Sequence, residues 1–505
     1  MGDISSGRRY NGDMTTSSSS FDLDSLLTRV PRGLFIDGDF VSASDGATFD
    51  VLNPSDGTVL AAVASASHDD ARRALDVACR AHTAWARTAT RSRSEILYRA
   101  YELIHDHADE LAYLQSAELG RALADSSAEV TYAAEFFRWF AEEAVRVRGD
   151  YRPAPGGSGR IVVTHEPVGP CLAITPWNFP LAMGARKIAP ALAAGCTMVL
   201  KPASKTPLTM LFLAQLLRDA GLPDGVLAVV PTATSAAVSD LLDDARLRKF
   251  TFTGSTAVGQ ELAAKAARHS MKTSLELGGN APFIVAEDAD VDAAAEAVAV
   301  AKMRGAGQVC IAANRFLVHE SIKDAFLTRA IEHLKSYRIG RGTDPEADYG
   351  ALSGQDQVDK VRELVDDALV HGGVRHLGDS FPDGLPEQGC YFPVTVLSDF
   401  DADARINDEE IFGPVLAVRT FADDEEALRL ANATSYGLAA YVFSENLAHA
   451  LTLAEGVEAG MVAVNRGALS DASAPFGGVK QSGLGREGGF EGIHEYLEPK
   501  YIALP

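Results

Sequence analysis

A thiol, a carboxylate and an amide stand in three short motifs of this 505-residue chain. Cys310 closes Gly307-Gln308-Val309-Cys310. Glu276 opens Glu276-Leu277-Gly278-Gly279-Asn280, and Asn178 sits in Thr175-Pro176-Trp177-Asn178-Phe179-Pro180. Together they supply a nucleophile, a base and a hydrogen-bond donor, the parts needed to oxidise an aldehyde through a covalent thioester. Only a thiolate attacks, so this chemistry asks for a Cys310 pKa below about 8.5. A helix N-terminus or a cationic cofactor ring would supply the field. A lone cysteine is ordinarily a small buried hydrophobe. The glycines from 305 to 307 argue instead for close backbone approach. Glu276 lies between Leu275 and Leu277, which predicts partial burial and a raised pKa suited to a base. Asn178 has a second reading, as the cap of a helix starting near Pro180.

The elements that must position these groups alternate in type. Residues 34–41 and 48–52 read as short strands with Asp-Gly turns. Ser67 opens a helix, with Asp70 three positions on in capping-box style. Ala71, Ala74, Leu75, Ala78 and Cys79 then form one apolar stripe, so Cys79 reads as core. Residues 92–146 read as further helix. From residue 168 short apolar runs at 170–175, 197–200, 226–230 and 249–253 alternate with helical stretches at 181–194 and 207–220. A second alternating region follows from 282 to about 475. This is the pattern of parallel sheets covered on both faces, in two α/β domains.

Two glycine motifs invite a phosphate reading. Gly483-Leu484-Gly485-Arg486-Glu487-Gly488 matches the dinucleotide fingerprint in letters only. The chain lacks room for the helix and acidic residue that must follow, so a flexible turn is expected there. Phe252-Thr253-Gly254-Ser255-Thr256 is the better candidate, because a strand precedes it and a helix N-terminus follows. Lys201 stands at the C-terminal end of a parallel strand, where open α/β sheets bind ligands.

Bulk properties narrow the partners. The net charge is −23 with 47% apolar and 23% charged residues, which argues against nucleic acid. An anionic substrate must therefore meet a local cationic pocket. Five cysteines at unpaired spacing suggest no disulfide frame and no metal site, and fit a reducing compartment. The absence of a long apolar run or signal core leads to the expectation of a cytoplasmic chain without membrane partners. Residues 1–30 are expected to be a mobile tail.

On the motifs around Cys310, Glu276 and Asn178, from about Phe35 onward, the chain resembles the aldehyde dehydrogenase superfamily. The stretches 176–183, 191–204 and 475–488 are most similar to its succinate-semialdehyde dehydrogenase group. The resemblance implies two doubly wound α/β domains with a small β oligomerisation arm, and a homodimer or homotetramer. The expected layout is a cofactor-binding domain at 31–148 and 168–276, a catalytic domain at 277–478 and an arm at 149–167 and 479–505. Cys310, Glu276 and Asn178 fall on the catalytic positions. Trp177, Asn178, Lys201, Pro202, Ala203, Ser204, Gly254, Ser255, Leu277, Glu410 and Phe412 fall on cofactor positions. Where Ser204 stands, NAD-preferring relatives often carry a glutamate that repels a 2′-phosphate. Its absence, with Lys201 and Lys205 nearby, leads to the expectation of NADP, with NAD as the alternative. Arg186 and Arg304 fall on the arginines that bind a substrate carboxylate, assisted by Ser470, which implies an aldehyde with a distal carboxylate. Glutarate semialdehyde, a broad aldehyde specificity, coenzyme A acylation and a non-catalytic protein on the same fold are the competing readings. Ala312 replaces a second cysteine common in relatives, and the loop 465–471, with Arg466 and Asp471, departs from the group.

Overall fold

The computed structural model describes residues 22–379, 381 and 384–505. Eight strands form the first sheet, in the order Gly483–Leu484, Lys272–Glu276, Lys249–Thr253, Cys171–Ile174, Met198–Lys201, Leu227–Val229, Leu34–Ile36, Asp39–Val41. Its five central strands are parallel. Their side chains alternate between two cores. Cys171 and Ala173 join the helices Ala182–Ala194 and Pro207–Asp219, while Leu172 and Ile174 join His68–Arg87 and Thr256–Ala267. A strand buried on both faces reads as a continuous apolar run, which is why the sequence pattern here lacks polar alternation. The chain winds outward from Cys171–Ile174 in one direction and then returns to build the other side. That reversal opens a crevice at the C-terminal ends of Cys171–Ile174 and Lys249–Thr253.

The second sheet has seven strands, in the order Val374–Leu377, Thr395–Ser398, Val415–Phe421, Ala313–His319, Ala281–Val285, Ala439–Phe443, Met461–Val464, parallel except for the first pair. A third, antiparallel sheet joins Leu497–Leu504, Arg160–Pro167 and Asp150–Pro153. The fold is α/β, doubly wound, with a small β arm.

Local signals explain several boundaries. Ser67 accepts from Asp70 N while Asp70 accepts from Ser67 N, closing the capping box. Two other helices rely on distant caps. Glu129 Oε1 accepts from Leu181 N and Ala182 N, both at 2.9 Å, and Glu118 accepts from Leu208 N and Thr209 N at 2.9 and 3.0 Å.

Three expectations need correction. Of the segment 1–30, residues 1–21 lie outside the described residues, and Leu23–Arg29 is a helix capped by Asp22. Leu26, Leu27 and Val30 bury themselves in the core, so apolar contact holds this part in place. The stretch 92–146 is not one helix but Thr90–Asp106, Ala108–Leu119 and Leu123–Glu143, broken at His107 and at Gly120, which is left-handed. Gly483–Leu484 is not a free turn. It pairs with Leu275 and Glu276 at the edge of the first sheet.

Candidate active site

Asn178 and the Cys310 loop meet between the two large sheets. Asn178 follows the strand Cys171–Ile174, is buried, and donates its Nδ2 to Gln308 O at 2.9 Å. It caps no helix, because Glu129 already holds the amides that start Ala182–Ala194. Its own carbonyl accepts from Arg121 Nη1 at 3.2 Å. Arg121 is fixed in turn by Glu129 and by Gln115 Oε1 at 2.8 Å. A buried ion pair thus sets the position of the amide.

The chain reaches Cys310 through unusual backbone. The helix Val291–Val298 runs into a π-helical turn, Ala299–Met303, and then Gly305, Ala306 and Gly307 take φ of 59, 55 and 77°. Wide turns and left-handed residues concentrate at functional sites because surrounding contacts must hold them. Here Gly305 N donates to Asp125 Oδ2 at 2.7 Å, and Ser353 N donates to Gln308 Oε1 at 2.9 Å. A Cβ on Gly307 would run into Gly413 O, and one on Gly279 would run into Cys310 O. These glycines let the thiol loop lie directly against the loops that carry Glu410 and Glu276.

Cys310 itself lies in a turn ahead of the strand Ala313–His319, not at a helix N-terminus. It keeps some solvent contact, yet its surroundings solvate the thiol poorly. Burial pushes the thiol up to about 12. Arg186 and Arg304 pull the other way, while the charges of Glu410 and Glu276 add to the rise. The low pKa expected for an activated thiol is therefore absent in the chain by itself, since desolvation and two carboxylates outweigh two guanidinium groups.

Glu276 ends the strand Lys272–Glu276 and is buried with neither carboxylate oxygen hydrogen-bonded. Burial, and then the like charge of Glu487, raise its carboxyl well above the usual range against Arg186, Lys187 and Arg486. Burial also opposes charge on Glu487. Lys187 and Arg186, which both donate to it, nonetheless hold its carboxyl below the usual range. Lys187 also donates to Thr251 Oγ1 at 3.1 Å. Sequence reasoning missed Lys187 and Glu487, and it missed the scaffold of Arg121, Asp125, Glu129 and Gln308. The Arg186-Lys187 pair inside an otherwise apolar 13-residue helix was the available signal.

The cofactor candidates ring the crevice of the first sheet. Lys201, with Pro202, Ala203 and Ser204 after it, ends Met198–Lys201. Lys201 is buried, donates to Pro202 O at 3.3 Å, and burial lowers its ammonium to about 8. Gly254 follows Lys249–Thr253, and Ser255 opens Thr256–Ala267 with no side-chain cap of its own, leaving that helix N-terminus with amides to offer. Thr253 Oγ1 is buried nearby without a partner. Leu277 is buried where Thr256–Ala267 crosses at Gly259. Glu410 Oε1 accepts from Gly279 N at 3.2 Å, and burial raises its carboxyl to about 7. Phe412 packs edge-on against Trp177 at 5.4 Å. The donor set fits a dinucleotide. A cationic amine sits at one strand end, free helix amides at another, and a carboxylate and two aromatic rings lie on the side of the thiol. Lys205 is half-buried and stands in an ion pair. Its Nζ is bound to Asp356 Oδ1 and Oδ2 at 2.8 and 3.0 Å, and it lies over the Trp177 ring at 5.6 Å.

Arg186 and Arg304 both approach the thiol but are held differently. Arg186 is buried, donates Nε to Glu487, and lies over the Phe476 ring at 3.9 Å with Nη2 unpartnered. Arg304 lies over the Phe179 ring at 5.4 Å with Nε buried and unpartnered. Ser470 lines a cleft beside the helix Leu123–Glu143.

Comparison with known proteins gives the same family at every level. The aldehyde dehydrogenase family model matches residues 40–502. The succinate-semialdehyde dehydrogenase of Paenarthrobacter nicotinovorans is 52% identical over 447 residues, 88% of this chain and 99% of the relative. The 3-sulfolactaldehyde dehydrogenase of Pseudomonas putida is 45% identical over 477 residues, 93% of this chain and 96% of the relative. The crystal structure of an E. coli NADP dependent enzyme superposes with a TM-score of 0.92 at 42% identity, covering 95% of this chain and 99% of that one. With a thiol, a carboxylate and an amide gathered beside a dinucleotide crevice, and with these similarities, the chain belongs to the aldehyde dehydrogenase family.

Proposed function

We propose that the chain oxidises succinate semialdehyde to succinate with NADP. The observation that carries the substrate class is the pair of unpartnered guanidinium donors, Arg186 Nη2 and Arg304 Nε, beside Cys310. Buried donors are normally satisfied, and two whose charge reaches the nucleophile suit a carboxylate at the far end of an aldehyde. They also meet the need for a local cationic pocket in a chain of net charge −23.

In this reading Cys310 attacks the aldehyde carbon. Asn178 turns its Nδ2 from Gln308 O to the oxyanion, a donor of a kind worth about 3 kcal/mol in a transition state. NADP held in the crevice supplies the hydride acceptor. Glu276, with its raised basicity, then takes a proton from the water that hydrolyses the Cys310 thioester. Lys201 and Ser204 are assigned to the adenosine ribose and its 2′-phosphate, and Glu410 and Phe412 to the nicotinamide end. Tyr501, Ile502 and Leu504 lie exposed on the arm strand Leu497–Leu504, on its two faces, and we assign this strand to pairing with a second copy.

The test is a substrate panel: succinate semialdehyde, glutarate semialdehyde, 3-sulfolactaldehyde, propanal and 4-aminobutanal, each with NADP and NAD. A kcat/KM at least about 100-fold higher for succinate semialdehyde than for propanal is expected from two charge-assisted contacts. Equal values for these two aldehydes would make Arg186 and Arg304 structural. Glutarate semialdehyde should fall within about 200-fold, because one methylene changes binding by little.

A further inference from the structure

The second sheet carries a cationic cleft that Cys310 does not line. Arg315 and Leu317 on Ala313–His319 pair with Ala417 and Arg419 on Val415–Phe421, so all four share one face of the sheet. The helix Asp424–Asn432 packs on that face through Ala427 and Leu430, and its Arg429 lines the same cleft. The loop 400–408 gives the remaining wall, with Phe400, Ala402 and Asp408. Asp401 and Asp403 do not line it. The space is about 230 Å³, room for several groups the size of a water, about 30 Å³ each.

Its three guanidinium groups are poorly neutralised. Arg315 is buried and donates Nε to Asn280 O at 2.9 Å, and Nη1 and Nη2 to Leu430 O and Ala431 O, both at 2.8 Å. These acceptors are carbonyls, and each Nη keeps a second N–H. Arg419 is half-buried and donates Nη1 to Asn407 Oδ1 at 3.0 Å, another neutral acceptor. Neither stands in an ion pair with a described carboxylate. Of the three only Arg429 does, with Glu426 at 2.8 Å. Charges taken out of water are normally paired. Burial lowers Arg315 to about 10, with Asp408 opposing and the like charge of Arg419 adding. Burial, and then Arg429, lower Arg419 as well. Cations that repel one another across a cleft leave a place for an anion between them.

We propose that this cleft binds a phosphate group, free or carried on a small ester, between Arg315, Arg419 and Arg429. Guanidinium forks suit such an oxyanion, which can accept from all three at once. The site stands behind the active site rather than in it. Arg315 holds the carbonyl of Asn280, which closes the motif that Glu276 opens. Arg419 holds Asn407, which precedes Glu410 and whose carbonyl accepts from Asn280 Nδ2 at 3.0 Å. A bound anion ties the loops that carry Glu276 and Glu410 to one another from the side away from the thiol.

The test titrates inorganic phosphate, and separately AMP, into the full-length protein by calorimetry. Saturating NADP keeps the cofactor crevice filled, and sodium chloride at matched ionic strength is the blank. The wild-type protein is compared with the double variant Arg419→Gln with Arg429→Gln, which leaves Arg315 and its carbonyls in place. Arg429→Gln alone, at an exposed position, serves if the double variant does not fold. Arg362→Gln removes an exposed arginine paired with Asp359 outside the cleft and is the charge control. Saturable binding of phosphate at one site is expected, at least about tenfold weaker in the double variant and within about twofold of wild type in Arg362→Gln. AMP binding without phosphate binding, lost in the double variant, would support the site and make the occupant an ester. No saturable binding of either probe would overturn the proposal. Equal binding by wild type and double variant would overturn it too, by placing the anion elsewhere. An equal loss in Arg362→Gln would do the same, by showing an effect of net charge alone.

Discussion

At Cys310 burial and the neighbouring Glu410 and Glu276 oppose formation of the thiolate. With the thiol up at about 12, alkylation by iodoacetamide should be slow at pH 7 and still rising at pH 10. NADP should accelerate it at neutral pH, because a cationic ring beside the sulfur favours thiolate. A rate that levels off below pH 8 in the protein without NADP would contradict this. Ser204 is the second residue whose role is separable. Ser204→Glu should lower the NADP-to-NAD ratio of kcat/KM by at least about tenfold, since a carboxylate at the ribose repels a 2′-phosphate. Cys310, Glu276 and Asn178 could be picked out because each sits in a motif with a chemical logic of its own, and the fold brings Asn178 against the Cys310 loop. The ion pair of Lys205 was not legible, because a lysine's sequence neighbourhood does not reveal a partner such as Asp356, 151 residues away.

At the scale of elements, the loop 304–310 carries three consecutive residues in the left-handed region, Gly305, Ala306 and Gly307. Gly307→Ala would place a Cβ into Gly413 O at a φ of 77°. It should cost about 1–3 kcal/mol of stability, seen as a lower Tm, and at least about tenfold in kcat/KM because the thiol is displaced. Gly156→Ala, at a position with nothing within 4 Å, should stay within about 0.5 kcal/mol. Equal behaviour of the two variants would remove the close-approach argument. The parallel strands around the crevice were legible because apolar runs bounded by turns mark buried strands. The π-helical turn was not, since no local letter pattern distinguishes it from an α-helix. The break at His107 was hidden by good helix formers on both sides. The helix Leu23–Arg29 is too short to show a period and is held by tertiary burial of Leu26 and Leu27.

For the whole molecule, the site exists only because two sheets are pressed together by contacts distant in sequence. Asn178 to Gln308 spans 130 residues, and Arg186 to Glu487 spans 301. The arm leaves Tyr501 and Ile502 exposed, so Tyr501→Asp with Ile502→Asp should convert an oligomer to monomer by light scattering. A wild-type monomer at working concentration would refute that surface as an interface. Among the described residues no helix is long and apolar enough to cross a membrane. The most direct test of the chemistry uses Glu276→Gln. Its base is gone, while Cys310, Asn178 and the crevice remain. One equivalent of NADPH should form rapidly with succinate semialdehyde, followed by slow turnover. Intact mass and peptide mapping should then find a succinyl group on Cys310. In the wild-type protein hydrolysis should quicken as pH rises, because the raised Glu276 carboxyl becomes a base only above its pKa. Steady turnover by Glu276→Gln at the wild-type rate, or no adduct on Cys310 after the burst, would contradict thioester hydrolysis at this site.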